Sequence, residues 1–140
     1  MSLWPGEFDE ADVKTAKNLL EEQAKMLPQL TKGFVSAELI KITDMDVPSF
    51  MDNSFIYQFD IIGKHLDNFR YTAFTLSHDI AMYPINIMPD SEILSELVPN
   101  GHGSYIKAKS VEQFEAIIAK VFHSNRMKNV ISSLMALSKR

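Results

Sequence analysis

Apolar positions change their period several times along this chain, and each change marks an element. Val13, Ala16, Leu20, Gln23/Ala24 and Leu27 recur at helical spacing, while Lys14, Lys17, Glu21, Glu22 and Lys25 fill the other faces. Asp9 is placed to cap that helix, with Asp12 in its first turn, where a carboxylate meets the positive end of the helix dipole. Pro28 disfavours helical geometry at Leu27, so the helix is expected to end or kink there.

After Gly33 the spacing becomes that of strands. Residues 34–42 are rich in β-branched and apolar side chains, with Val35, Ala37 and Leu39 on one face. The stretch 43–53, with Asp44, Asp46, Pro48 and Asp52, ends this strand by turn chemistry. Alternation is clearest at Phe55, Tyr57, Phe59 and Ile61, with Gln58 and Asp60 opposite, which predicts a strand buried on its aromatic face. A hairpin loop at 63–68 leads to a strand over 69–77 holding Tyr71, Phe74 and Leu76. The connection 78–82 leads to a short strand, 83–88, in which Pro84 marks either a sheet edge or the strand's start.

Asp90 and Ser91 can cap a helical turn or two before Pro99, and 104–109 reads as the last strand. Ser110-Val111-Glu112-Gln113 matches a capping box, followed by Val111, Phe114, Ile117, Ile118, Val121 and Phe122 as an apolar stripe. His123-Ser124-Asn125 breaks that helix and caps another, with apolar positions Met127, Val130, Ile131, Leu134, Met135 and Leu137. These segregated elements predict an α+β fold: an antiparallel meander of about five strands with an N-terminal helix and two C-terminal helices. At 140 residues, without repeat or linker, the chain is expected to form a single domain, 1–140.

Composition removes whole classes of chemistry. There is no cysteine, which rules out disulfides, thiolate metal sites and cysteine nucleophiles and suits a reducing cytoplasm. The first residues lack the basic and apolar regions of a secretory signal, and no apolar run approaches the ~20 residues of a membrane span. The formal charge of -4 is split: residues 1–100 carry 7 basic and 16 acidic side chains, whereas 101–140 carry 7 and 2. The acidic body argues against broad nucleic-acid binding, leaving only the basic tail as a weaker option.

Candidate sites are few. His102 between Gly101 and Gly103 combines a titrating imidazole with a close-approach backbone, although Asn100-Gly101 is also an ordinary turn signal. His65 and His78-Asp79 sit in successive loops, at opposite ends of the sheet, so they are not expected to share a metal. Asp44, Asp46 and Asp52 lack the glycine and terminal glutamate of a calcium loop. Glu38 and Lys41 fall on opposite faces of their strand. No nucleophile elbow, phosphate loop or Ser-x-x-Lys pair occurs, so no catalytic residue, metal or cofactor is assigned. His123, Arg126 and Lys128 form a basic element at the start of the last helix, where the dipole disfavours cations; they are the candidate partner-binding residues.

Seven methionines beyond Met1 supply adaptable side chains, and the last helix is apolar around much of its circumference. Small acidic domains with helices flanking a sheet occur among secretion chaperones, immunity proteins and other stoichiometric binders, a comparison of architecture that transfers no residue. The sequence thus favours a small cytoplasmic protein-interaction domain, homodimeric, whose final helix or an edge strand contacts a protein partner. The alternatives are a small-molecule binder or enzyme using residues 100–104, and nucleic-acid binding through the basic last helix.

Overall fold

The computed structural model describes residues 2–8, 15–42, 55–99, 103 and 105–139. The elements follow in the order α1 (Ala16–Leu30), β1 (Val35–Lys41), β2 (Phe55–Gly63), β3 (Phe69–His78), β4 (Ile85–Pro89), α2 (Ser91–Leu97), β5 (Ile106–Ala108), α3 (Val111–Phe122) and α4 (Asn125–Ser138). The strands form one antiparallel meander in sequence order, β1-β2-β3-β4-β5. The fold is therefore α+β with the N-terminal helix and two C-terminal helices expected from the sequence. Pro84 precedes β4, which is an interior strand starting at Ile85.

One face of the sheet carries the core. Tyr57, Phe59, Ile61, Phe74, Leu76, Ile85 and Ile87 are buried there with Leu20, Ile93, Phe114, Ile118, Val121, Met127 and Leu134 from the four helices. Phe59 and Phe74 stack across β2 and β3 with centroids 5.2 Å apart and planes 7° from parallel. Helix α4 comes close to the end of β2: a Cβ on Gly63 would lie 3.1 Å from Leu134 Cδ2, so a larger residue there would push that side chain aside by a few tenths of an ångström.

Three expectations need correction. The first helix starts at Ala16, where Thr15 Oγ1 accepts the Asn18 N–H at 3.0 Å; Asp9, Asp12 and Val13 lie outside the described residues. That helix also passes through Pro28 to Leu30. Pro28 supplies no N–H to the Ala24 carbonyl, and the helix closes just beyond it: Thr31 N–H and hydroxyl both reach the Leu27 carbonyl, and Gly33 N–H reaches Pro28 O at 2.8 Å. Finally, β2 is buried on both faces, not one. Asp60, 2% exposed, and the buried Ile56 and Ile62 occupy the side away from the helices.

The register explains how Asp60 can be buried there. Phe59 pairs with Phe74 but Asp60 with Thr72, so Ala73 is an extra residue in β3. This bulge turns Tyr71 to the helix side and leaves Arg70 and Thr72 beside Asp60. Thr72 Oγ1 and Gln58 Nε2 donate to Asp60 Oδ1 at 2.8 and 3.0 Å, and Arg70 bridges Asp60 Oδ2 (3.1 Å) to Glu38 Oε1 (2.9 Å). A buried carboxylate is tolerable when its lone pairs are filled and a cation balances it.

Candidate functional site: an apolar cleft between α1 and α3–α4

Helix α1 packs chiefly on the edge strand β1, whereas α3 meets the sheet at the opposite edge strand β5 and α4 meets it at β2 and β1. The gap between them holds two adjoining hollows. The smaller, about 100 Å³, is lined by Met26, Leu27 and Leu30 of α1, Phe59 of the sheet, Phe122 of α3, and Met127 and Ile131 of α4. The larger, about 240 Å³, lies between α1 and α3 and is lined by Leu19, Leu20, Phe114, Ile118, Ala119 and Phe122, with Glu115 and His123. Gln23 and Phe122 line both.

Local sequence explains the gap. On α1 the residues facing the sheet, Ala16 and Leu20, are buried, but Met26 is 49% and Leu30 74% exposed because they flank the opening. On α3 the stripe Phe114, Ile118, Val121 points at the sheet, and Ala119 contributes only a methyl group to the wall. The result is an apolar wall on both sides and a floor of core residues. The polar atoms are at the rim.

Size decides what the hollows can hold. Ligand pockets for whole small molecules run from ~300 to ~1,000 Å³, and an apolar cavity of ~150 Å³ takes up benzene. The larger hollow therefore admits one aromatic ring, and the smaller a branched aliphatic side chain. Two side-chain-sized hollows divided at Gln23 and Phe122 suit anchor residues of a polypeptide better than a cofactor.

The residues singled out by sequence are scattered relative to this cleft. Imidazole His123 caps α3 and lines the larger hollow; its Nδ1 stands 2.8 Å from the Ala119 carbonyl, an acceptor only, so Nδ1 carries the proton. Lys128 is exposed on α4. Arg126 is committed within the chain: its Nε lies 2.8 Å from Glu92 Oε2 and 3.4 Å from Asp90 Oδ2, and its guanidinium sits 5.3 Å over the Tyr71 ring. The Nε contact is an ion pair only, since the N–H is not aimed at the oxygen. The Tyr71 hydroxyl donates to Asp90 Oδ2 at 2.7 Å, and burial, then this hydrogen bond, pushes its pKa up to about 12. Gly103 is exposed, while Gly101, His102 and Ser104 lie outside the described residues, as do Asp44, Asp46 and Asp52.

His65 and His78 are indeed apart. His78 pairs with Phe55 at one end of β2, whereas His65 follows Gly63 at the other and packs on Phe34. Among the described residues no group of three His, Asp or Glu side chains could hold a metal ion, and no helix is long and apolar enough to cross a membrane.

The breadth of the apolar surface on α4 has an internal explanation. Met127 and Leu134 are buried, and Val130, Ile131 and Met135 pack against the core, because this helix meets the sheet, α2 and α3 at once; Leu137 stays exposed. Sequence reasoning missed the cleft because its lining residues read as ordinary core positions of α1 and α3. The signal available was Met26 and Leu30, apolar positions near the end of α1 beyond its main stripe. No family model, curated protein or solved structure matches this chain.

Proposed function

We propose that this chain is a small protein-interaction domain that grips apolar side chains of a partner polypeptide in the cleft between α1 and α3–α4. The single observation that carries this reading is Met26 and Leu30, 49% and 74% exposed, at the opening of a hollow floored by Phe59. An exposed apolar rim around an apolar recess is costly to leave in water and is a recurrent mark of a contact site. Methionine at both rim and wall, Met26 and Met127, adds side chains that adapt to varied anchors.

A cytoplasmic site of action fits the lack of cysteine. Self-association through α4 loses its motivation, since the apolar residues of that helix are mostly turned inward. The basic element is likewise a poor nucleic-acid surface, because Arg126 already faces two carboxylates.

A photoreactive benzophenone side chain at Met26, installed in the full chain in its native cell, tests the proposal. The expected product is an adduct with a protein that disappears when Gln23→Arg narrows both hollows and persists with Lys128→Ala. Adducts limited to lipid, or indifferent to Gln23→Arg, overturn it.

A further inference from the structure

The chain itself carries a segment with the side chains these hollows select. Leu3, Trp4 and Phe8 are 93%, 76% and 74% exposed, and Trp4 and Phe8 lie edge to face with centroids 6.2 Å apart. An aliphatic and two aromatic side chains thus stand in water within six positions, and the cleft offers one hollow for each kind.

The tether is long enough. From Phe8 to Thr15 the chain can span up to about 25 Å, while Leu19 and Gln23, on the wall of the larger hollow, lie only about 6 and 12 Å along the helix axis from Thr15.

We infer that residues 2–8 form an intramolecular strap for the cleft, with an aromatic side chain entering the α1–α3 hollow and Leu3 the smaller one, so that a partner must displace it. This rests on the reading of the cleft as an apolar side-chain site. The occupant is the chain's own segment and not that of a second copy, because a short tether holds it at an effective concentration on the order of millimolar. In the structure the strap stands in solvent, the open arrangement in which the cleft is accessible.

Trp4 is the only tryptophan of the chain, so its fluorescence reports the strap without a label. In the full chain its quenching by acrylamide is expected to be several-fold weaker than in a synthetic peptide of residues 2–8, and equally weak at every dilution. Ala119→Arg, which fills the mouth of the larger hollow from an exposed position of α3, should restore peptide-like quenching; Ala116→Arg, exposed on the same helix outside the hollow, should not. Peptide-like quenching in the unaltered chain, or shielding indifferent to Ala119→Arg, overturns the strap. Shielding lost on dilution overturns it too, by assigning the segment to a second copy. A full chain with Leu3, Trp4 and Phe8 changed to serine separates the two readings when offered a tryptophan-containing amphipathic peptide. If it binds that peptide while Trp4 of the unaltered chain is solvent-like, only the strap fails; if it binds none, the cleft reading fails with it.

Discussion

Glu96, in the last turn of α2, caps the helix that begins at Asn125: its Oε1 accepts the Asn125 N–H at 2.7 Å and its Oε2 the Arg126 N–H at 2.8 Å. Ser124 takes the next donor, Met127 N–H, at 3.1 Å. The chain reciprocates through the Arg126 side chain, which reaches back to Glu92 at the start of α2. Since α4 supplies Met127 and Ile131 to the cleft wall, this clasp fixes one side of the proposed site.

Glu96→Ala should lower stability by about 1 kcal/mol, the usual worth of a helix cap, and Ser124→Ala by a similar amount. The two changes strand different donors on adjacent residues, so their effects should not add strictly. Urea unfolding of the two single variants and the double variant measures this.

Phe59→Ala should cost about 3–5 kcal/mol, since the ring is 2% exposed and stacked on Phe74. Calorimetry of the variant measures the loss. A cost under about 1 kcal/mol would mean that the floor of the cleft is not packed as described.

At the sheet face away from the helices, Asp60→Ala should cost about 1–3 kcal/mol by stranding the donors Thr72 and Gln58, with Asp60→Asn milder because both donate to Oδ1 and an amide carbonyl oxygen there still accepts them, only the Arg70 contact at Oδ2 being lost. Chemical denaturation of the two variants ranks them. The opposite sign is expected at Tyr83, whose hydroxyl is buried without a hydrogen-bond partner. Tyr83→Phe removes that group and should be neutral or stabilising by up to about 1 kcal/mol.

Tyr71 gives a pH dependence with a fixed direction. Its folded pKa, about 12, is above the ordinary value of 10.0, so the folded chain holds this proton more tightly than the unfolded chain does. The stability it contributes is fully present below pH 10 and is lost as pH rises toward 12. Tyr71→Phe should flatten that part of the stability curve; the tyrosinate absorbance of the two proteins, compared during titration, locates the missing step.

Element types were legible in the sequence because each rests on a local signal. Alternation at Phe55, Tyr57, Phe59 and Ile61 marked β2, and Ser110 does cap α3, accepting Gln113 N–H at 3.2 Å. Even there the detail differs, since the Gln113 side chain accepts from Lys109 N–H rather than returning to Ser110. What could not be read depends on neighbours distant in sequence. The double burial of β2 needs Arg70, Thr72 and Glu38 from the flanking strands. The bulge at Ala73 left a trace, because Tyr71 and Phe74 are three apart in a strand of period two. Arg126 looked available to a partner because nothing near it in sequence reveals Asp90 and Glu92. Of the predicted partner-binding residues, His123 is the one that lines the cleft. The cleft itself is a gap between helices roughly a hundred residues apart in sequence, and local periodicity has no access to such spacing.

Methionine methyl resonances test the central claim most directly. Met26 and Met127 line the smaller hollow, whereas Met88 lies on the helix-free face of β4. In the full chain with Leu3, Trp4 and Phe8 changed to serine, titration with an amphipathic peptide bearing one leucine and one tryptophan should shift the Met26 and Met127 methyl signals and leave Met88 in place. Movement of Met88 alone, or of no methyl group at saturating peptide, would contradict the account.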